Sequence, residues 1–384
     1  MICGDKMKNM IVRGIKTPII KAHDNLVEIV VNSILEDSKI NNYELNDKDV
    51  VGITEAVVSI AHNNYVSIDD IVEDVNQKFN ENTLGIVFPI LSRNRFSMLL
   101  KAFARAKKNL VMLISYPYDE VGNPILEMDK LGTISKEVFD EETYYKYFKD
   151  FKHPWTNINM IDYYKEVVLK EGSHIKFIFS NNPLEILKYT NQVLVSNVHE
   201  RSKTKELLKG KALTFGLDDL LTKSINGSGF NKDYGLLGSN YSSDNLIKLF
   251  PNDNQEFLKA VQDKVYQNAK KHVEVLIYGD GAFKDPFTNI WELCDPVVSP
   301  SYTKGLIGSP NEFKLKYVIE NEFKDLKNEE LEKAILEKKT NFSNHDSLGT
   351  TPRRYIDLLG TLCDLVSGSG DRSTPVVLVQ NYFK

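Results

Sequence analysis

Cysteine and histidine are scarce in this sequence of 384 residues. Its three cysteines, Cys3, Cys294 and Cys363, are far apart, and an odd, widely spaced set provides neither a disulfide framework nor a zinc site. The seven histidines form no HxH or HxxxH pair, so the sequence does not favour a histidine-based metal site. Sparse cysteine usage is typical of a reducing compartment, and we expect a cytoplasmic protein.

Long apolar runs and an excess of positive charge are also missing. No stretch approaches the roughly 18 apolar residues of a membrane span, and no apolar core followed by a small-residue cleavage site marks a signal peptide near the N-terminus. The formal net charge of -5 disfavours binding along a nucleic-acid backbone. We therefore expect a protein that binds neither membranes nor nucleic acids.

The common catalytic signatures are absent as well. The sequence contains no GxSxG elbow, no HExxH and no CxxC, which mark many hydrolases and zinc proteins. The loop Ser367–Thr374 is rich in glycine but is not a Walker loop, because it follows a predicted helix, precedes a predicted strand and has no lysine. The function therefore has to be inferred from less common sequence patterns.

What is present is an ordinary globular composition, with 42% hydrophobic and 26% charged residues. The length predicts two or more domains. Predicted strands and helices alternate between residues 84 and 225, and this rhythm favours a parallel or mixed sheet covered by helices. We interpret this part of the chain as an α/β module.

The central pattern is the hydrophobic run Val273–Tyr278, which predicts a buried strand and ends in Gly279-Asp280-Gly281. The glycines permit a sharp turn that leaves the Asp280 carboxylate at the end of the strand. Hard cations prefer oxygen ligands, so a carboxylate in this position can hold Mg²⁺ or Mn²⁺ beside a phosphate. The alternative is an ordinary turn aspartate, since Asp and Gly are common in turns.

Three further segments follow predicted strands. Ser92–Arg95 carries Arg93 and Arg95, whose planar guanidinium groups can grip an acidic ligand or can simply be solvated surface charges. Tyr116–Asn123 offers two carboxylates and two tyrosines at a strand end, where α/β sheets tend to bind ligands. Glu55 can act as a ligand or a base in the same kind of position, but we interpret it as a solvated surface glutamate.

The C-terminal glycine loop has two interpretations. Gly368 and Gly370 have no Cβ atoms, so the backbone amides around them can converge on the oxygens of a phosphate. The same residues can also end the preceding helix as a C-cap without any ligand.

Four segments of the chain form a pattern together. They are Lys16–Ile20 with Asp24 and Leu26 after it, Asp49–Ser59, Gly235–Asn240, and Asp280 together with the Gly368–Asp371 loop and the predicted strand Pro375–Val379. In this order, the segments resemble the γ-glutamyl ligase family that adds glutamate to the deazaflavin coenzyme F420. The distance along the chain between Asn240 and Asp280 is also close to that of the family.

The resemblance implies an α+β fold, a composite domain built from both ends of the chain, and a homodimer. The alternation of predicted strands and helices adds an inserted α/β module to this fold. We therefore expect a γ-glutamyl-ligase-like domain formed by residues 1–83 and 231–384, with the βαβ-rich module in residues 84–230 packed beside it.

By resemblance, the substrates are GTP, glutamate or a similar amino acid, and an acidic small-molecule acceptor that is activated as an acyl phosphate. The cofactor is Mn²⁺ or Mg²⁺, held at Asp280 and Gly281, and we expect Arg93 and Arg95 to bind the acceptor. The residues that the resemblance assigns to the nucleotide are Thr17, Pro18, Ile19, Ile20, Asn240, Gly368, Ser369, Gly370, Asp371, Arg372, Ser373 and Thr374.

Three positions depart from the family pattern. The family aspartate before Ala-Ser-Asn falls on Leu237, the family lysine after the Val-Ile-Ser segment falls on Ile60, and a metal-binding glutamate falls on Ser369. Asp233 and Asp371 lie nearby in the sequence and are candidate replacements. Two alternatives stay open: a binding protein that keeps a nucleotide or metabolite site without catalysis, and an unrelated α/β enzyme that acts through its tyrosine-containing loop.

Overall fold

A computed structural model describes residues 9–133, 137–154, 156–252, 254–280, 283–284, 291–292, 295–310, 312–341, 352–367 and 373–383. The strands are β1 (Ile11–Ile15), β2 (Val50–Thr54), β3 (Tyr65–Ser67), β4 (Thr83–Val87), β5 (Asn109–Ile114), β6 (Phe139–Asp140), β7 (His174–Phe179), β8 (Gln192–Val195), β9 (Leu213–Gly216), β10 (Asn240–Ser243), β11 (Leu246–Lys248), β12 (Glu274–Tyr278), β13 (Phe283–Lys284), β14 (Trp291–Glu292), β15 (Ser301–Tyr302) and β16 (Val376–Gln380).

The helices cover both faces of the main sheets. They are α1 (Leu26–Ile40), α2 (Glu55–Ala61), α3 (Ile68–Lys78), α4 (Phe96–Ala106), α5 (Glu141–Phe148), α6 (Met160–Lys170), α7 (Arg201–Leu208), α8 (Gln255–Ala269), α9 (Leu315–Asn321), α10 (Asn328–Asn341) and α11 (Tyr355–Ser367). Short 3₁₀ helices lie at Met128–Thr133, Pro183–Lys188, Leu217–Asp219 and Lys304–Leu306.

The two ends of the chain meet in a five-stranded sheet with the order β1-β16-β2-β12-β15. β2 and β12 are parallel, and the other neighbours are antiparallel. Val275 and Ile277 of β12 pack with α1 and α8, whereas Leu276 and Tyr278 pack on the opposite face with α11. A strand covered on both faces is hydrophobic along its whole length. The predicted strand Val273–Tyr278 is thus confirmed as β12.

Helix α11 lies close against β2 because Gly52 has no side chain. A Cβ atom on Gly52 would lie only 2.4 Å from the Sγ atom of Cys363, and Cys363 is fully buried. This contact fixes the position of α11, whose last residue, Ser367, borders the cavity described below.

The module contains a six-stranded sheet with the order β6-β7-β5-β4-β8-β9. All neighbouring strands in it are parallel except β6 and β7. The predicted alternation of strands and helices is therefore confirmed. Along the sheet, the parallel strands appear in the order third, second, first, fourth and fifth of the chain, so the direction of the winding reverses between β4 and β8.

Helix α3 packs on this module although it precedes residue 84. Ser67 and Asp70 exchange hydrogen bonds between side chain and backbone, which forms a capping box at the start of the helix. Ile71 and Val75, on one face of α3, are buried in the same hydrophobic cluster as residues of β4 and β5. The division into 1–83, 84–230 and 231–384 stays a prediction.

A small antiparallel sheet, β10-β11-β3, positions residues of the site. Its register places Asn240 opposite Lys248. Ser59 in α2 donates a hydrogen bond to the carbonyl of Leu249 at 2.7 Å, which holds the segment after β11 against α2. β13 and β14 form a further two-stranded pair.

The combination of helices with antiparallel and mixed sheets confirms the prediction of an α+β fold. No helix in the described part of the chain is long and apolar enough to cross a membrane.

Candidate functional site

A cavity of about 420 Å³, here called the main cavity, lies beside the carboxyl ends of β2 and β12. Several of the residues that the sequence predicted for nucleotide and metal binding line it together, although they are far apart in the chain. The lining residues are Thr17, Pro18, Ile19, Ile20, Thr54, Glu55, Ala56, Val57, Asn240, Lys248, Asp280, Asp364, Ser367, Ser373, Thr374 and Pro375.

The strand pairing explains this arrangement. β2 and β12 are parallel and pair Thr54 with Tyr278 at their carboxyl ends, so Glu55 and Asp280 leave the sheet at the same edge. The C-terminal strand joins the same edge from its other side. The Thr54 amide donates to the Pro375 carbonyl at 3.0 Å, and the Thr17 amide donates to the Ser373 carbonyl at 3.2 Å.

Part of the predicted site lies outside the described residues. This applies to Gly281 and to the loop residues Gly368, Ser369, Gly370, Asp371 and Arg372. The two ends of the loop are described, and they are joined because the Thr374 hydroxyl donates a hydrogen bond to the Ser367 carbonyl. Both ends line the main cavity.

Arg95 reaches the edge of the main cavity from the start of α4. Its Nη2 atom lies 2.6 Å from Oδ2 of Asp280, and its Nη1 atom lies 2.5 Å from Oδ1 of Asp295. The two aspartates are also joined directly, because the Asp280 amide donates to Asp295 Oδ2 at 3.2 Å. Arg93, on the same loop, is exposed, and its backbone carbonyl accepts a hydrogen bond from Ser97.

The two aspartates differ strongly in exposure. The side chain of Asp280 is 56% exposed, whereas that of Asp295 is 3% exposed. Burial raises the pKa of Asp295, the neighbouring Arg95 guanidinium lowers it, and the charge of Asp280 raises it again. Arg95 therefore compensates a buried carboxylate as well as an accessible one.

The donor chemistry of this pair suits a hard cation. Mg²⁺ is commonly bound by one or two carboxylates together with oxygens of a substrate phosphate, and Asp280 and Asp295 supply the carboxylates. Within the described ranges, no group of three or more His, Cys, Asp or Glu side chains is arranged to hold a metal ion. A cation at Asp280 therefore requires ligand oxygens and a movement of the Arg95 guanidinium away from the carboxylate.

Glu55 and Lys248 form a buried ion pair in the wall of the main cavity. The Lys248 Nζ atom lies 2.7 and 2.8 Å from the two carboxylate oxygens of Glu55, and the side chains are 10% and 8% exposed, respectively. Burial raises the pKa of Glu55 from 4.5 to about 7, against the opposing effect of the Lys248 ammonium group. The interpretation of Glu55 as a solvated surface glutamate was wrong, because the small sheet covers it.

Sequence patterns missed two of these residues. Lys248 stands within the apolar run Leu246–Phe250, and an isolated cation inside such a run is a signal for a buried, paired charge. Asp295 lies 17 positions after Tyr278, the last residue of β12, and no local pattern distinguishes it from other aspartates.

Two of the positions that depart from the family pattern, Leu237 and Ile60, lie in the described part of the chain. Leu237 is buried in the large hydrophobic cluster of the module, and Ile60 is half-buried in α2. Asp233 lies exposed on a turn, where its amide donates to the side chain of Asn231 at 3.0 Å. Neither Leu237 nor Ile60 can replace the charge of the family residue.

A small apolar cavity of about 40 Å³ lies next to Arg95. Arg95 borders this cavity and also contacts Asp280, which borders the main cavity. The small cavity is lined by Ile90, Ser92, Arg95, Phe96, Leu99, Ser196, Val198, Leu217, Leu236, Leu237, Gly238 and Ser239.

Comparison with known proteins gives one clear relationship. The family described as F420-0:Gamma-glutamyl ligase matches this chain over residues 14–381. Comparison with curated proteins finds no significant match.

Proposed function

Because the chain belongs to the F420-0:gamma-glutamyl ligase family, we propose that it is a GTP- and metal-dependent amide ligase. It joins glutamate, or a similar amino acid, to an acidic small-molecule acceptor. The general ligase role follows from the family. The nucleotide, the metal and the acyl-phosphate route are part of the proposal.

One observation carries the proposal. Thr17–Ile20, Asn240, Asp280 and Ser373–Thr374, which the family resemblance assigns to nucleotide and metal, line a single cavity. Its volume of about 420 Å³ lies in the usual range for small-molecule sites. A chance resemblance gives no reason for these four segments to meet.

The proposed reaction has two steps. A carboxylate oxygen of the acceptor attacks the γ-phosphorus of GTP, and GDP leaves with the bonding electrons, which gives an acyl phosphate. The amine of glutamate then attacks the acyl carbon, phosphate leaves, and the amine loses a proton as the amide forms. Phosphoryl transfer depends mainly on positioning and on neutralising charge.

Charged side chains of the main cavity match these needs. Asp280 and Asp295 would hold a divalent cation, which supplies charge neutralisation at the phosphates when bound. Lys248 provides a cation in the cavity wall that does not depend on the metal, and Glu55 fixes its position through both carboxylate oxygens. Lys248 thereby offers a charge that the chain lacks at Ile60.

Arg95 is the residue we assign to the acceptor. Its planar guanidinium binds carboxylates well, and it already binds that of Asp280. An acidic acceptor can take over this contact when a cation takes Asp280, so the two ligands support each other's binding. The apolar cavity beside Arg95 offers space for a small apolar part of the acceptor. Arg93 lies on the same loop, and its role in binding the acceptor stays a prediction.

A second candidate is a binding protein without catalysis. The charge-free residues Leu237 and Ile60, and the lack of a three-ligand metal group in the described part of the chain, favour it. A homodimeric state and a cytoplasmic location are further parts of the proposal that rest on the family resemblance and on composition.

Binding and turnover separate these candidates. Melting temperature is measured with GTP, ATP and GDP, with and without Mn²⁺, and GDP release is then measured with glutamate and a panel of small carboxylic acids. The ligase proposal expects GTP with Mn²⁺ to raise the melting temperature and one acid to accelerate GDP release. Stabilisation by nucleotide without turnover for any acid supports the binding protein, and no stabilisation by any nucleotide rejects the ligase and a nucleotide-binding protein.

Matched variants locate the acceptor contact. Arg95→Gln is expected to raise the acceptor KM strongly, because it removes the guanidinium group that contacts Asp280. Arg93→Gln replaces an exposed arginine two positions earlier in the chain, and it tests the prediction that Arg93 shares this role. An acceptor KM that is unchanged in Arg95→Gln would remove Arg95 from the acceptor site.

A further inference from the structure

A second cavity, here called the module cavity, has a volume of about 320 Å³ and lies at the carboxyl ends of the parallel strands of the module. Phe88 follows β4, Ser115 follows β5, Asn181 follows β7 and Asn197 follows β8, and all four line it. The winding of the sheet reverses between β4 and β8. In open α/β sheets, the crevice at such a reversal is where ligands bind.

Asn197 provides an independent sign of a missing ligand. Its side chain borders the module cavity, and the residue is only 3% exposed. The Nδ2 atom donates to the Thr204 hydroxyl at 3.1 Å, but Oδ1 has no hydrogen-bond partner among the described residues. A buried carbonyl oxygen without a partner is unfavourable, and a donor group of a ligand in this cavity would satisfy it.

The backbone amides that could bind an anion in this crevice already bind a carboxylate of the protein. The carboxylate of Glu120 accepts hydrogen bonds from the amides of Val198 at 2.7 Å and Glu200 at 2.5 Å. These amides precede α7, and the start of a helix after a strand is where such sheets usually bind phosphate. A phosphate placed here would face the Glu120 carboxylate, so an anionic ligand is disfavoured.

The remaining lining favours a cation. Asp119, Glu120 and Glu200 border the module cavity, whereas Lys203 is its basic lining residue and lies 3.3 Å from Glu200. Asp119 is buried and accepts hydrogen bonds from the amide of Leu91 and from backbone amides of its own loop. Three carboxyl groups around one lysine leave an excess of negative charge.

Apolar groups complete the wall. Phe88, Pro183 and Leu207 line the module cavity beside the polar residues. A ligand that fits both parts has a short hydrocarbon chain and a group that donates hydrogen bonds.

We propose that the module cavity binds a small aliphatic amine in its protonated form. Its ammonium group donates a hydrogen bond to Oδ1 of Asn197 and is attracted by Glu120 and Glu200, and its carbon chain packs on Phe88 and Leu207. This site is separate from the main cavity in its lining residues, and the proposal does not rest on the ligase function.

The test compares two probes of the same chain length. The full chain is titrated by calorimetry with putrescine, which is a diamine, and with butanediol, which carries hydroxyl groups in place of the amines. We expect binding of putrescine and none of butanediol. Equal binding of both probes would contradict the cationic ligand, and no binding of putrescine would overturn the site.

Variants then locate the binding. Asn197→Leu is expected to abolish putrescine binding, while Asn254→Leu, which removes another buried asparagine with an unpartnered Oδ1, keeps it. Glu200→Gln changes a side chain that is largely exposed and is expected to weaken binding several-fold while the protein stays folded. Putrescine affinity that is unchanged in Glu200→Gln and equal in the two asparagine variants would overturn the proposal, and the Glu200→Gln result alone decides if Asn197→Leu does not fold.

Discussion

The Nη2 atom of Arg95 lies 2.6 Å from the Oδ2 atom of Asp280. This contact joins the start of α4, in the α/β module, to the end of β12, in the sheet built from the two ends of the chain. A cation can use the Asp280 carboxylate fully only after Arg95 has released it. The module thereby contributes a side chain at the edge of the main cavity, and the proposed function assigns this side chain to the acceptor.

Arg95→Gln is expected to lower the free energy of unfolding by about 2–3 kcal/mol near neutral pH, because it leaves the buried Asp295 carboxylate without its partner. Burial raises the pKa of Asp295 and Arg95 lowers it, so the substitution raises this pKa further. The folded variant then binds the proton more tightly than the unfolded chain, and the stability loss grows as pH rises. Urea unfolding of the wild type and of Arg95→Gln at about pH 5 and about pH 8 measures the loss of stability and its pH dependence.

Arg93→Gln is the control for that experiment. Arg93 is exposed, and its replacement is expected to change stability by less than about 0.5 kcal/mol. A loss in Arg95→Gln that does not depend on pH would show that Asp295 is not the group left unpaired.

Lys248→Met is expected to destabilise the fold by about 3–5 kcal/mol above neutral pH, because it leaves the buried Glu55 carboxylate uncompensated. Burial already raises the pKa of Glu55 from 4.5 to about 7, and loss of the ammonium group raises it further. Below about pH 7 the carboxyl group is protonated in the folded state of both the wild type and the variant, so the loss of stability is small there and increases as the pH rises above about 7.

The double variant Glu55→Gln with Lys248→Met tests whether the loss of stability comes from the unpaired Glu55 carboxylate. It removes the buried charge together with its partner, and we expect it to regain most of the stability that Lys248→Met loses. Thermal unfolding across the pH range measures both variants, and additive losses would contradict a direct pairing of the two residues.

Gly52→Ala is expected to destabilise the fold by about 1–3 kcal/mol through overpacking. The new Cβ atom would lie 2.4 Å from Sγ of Cys363, so β2 and α11 must separate. The combination with Cys363→Ala is expected to recover much of the loss, since it removes the clashing sulfur. Gly132→Ala is the control, because a Cβ atom there meets no described atom within 4 Å. Chemical denaturation that shows equal stability for the two glycine variants would contradict the close packing of α11.

Local periodicity predicted much of the fold. The hydrophobic run at β12 and the alternation of strands and helices in the module both reflect burial of successive side chains, which a short window of sequence records. The family resemblance further identified Thr17–Ile20, Asn240 and Asp280, and the structure brings these residues to one cavity.

The ion pairs of the site could not be predicted in the same way. Lys248 lies 193 positions from Glu55, and Asp280 lies 185 positions from Arg95. Such contacts depend on how the five-stranded, six-stranded and small antiparallel sheets are placed against one another. This placement is a tertiary property that no local spacing encodes. Glu55 was misassigned for this reason: its neighbours in sequence do not reveal that β11 covers it.

The most direct test of the ligase account is metal binding at Asp280. Calorimetry measures Mn²⁺ binding in the presence of GTP for the wild-type chain, for Asp280→Asn, and for Asp263→Asn, which replaces an exposed aspartate on α8. The account predicts that Asp280→Asn weakens Mn²⁺ binding by more than about tenfold, because it removes a charged oxygen ligand, and that Asp263→Asn leaves it unchanged. Equal Mn²⁺ affinity in the wild type and in Asp280→Asn would contradict it.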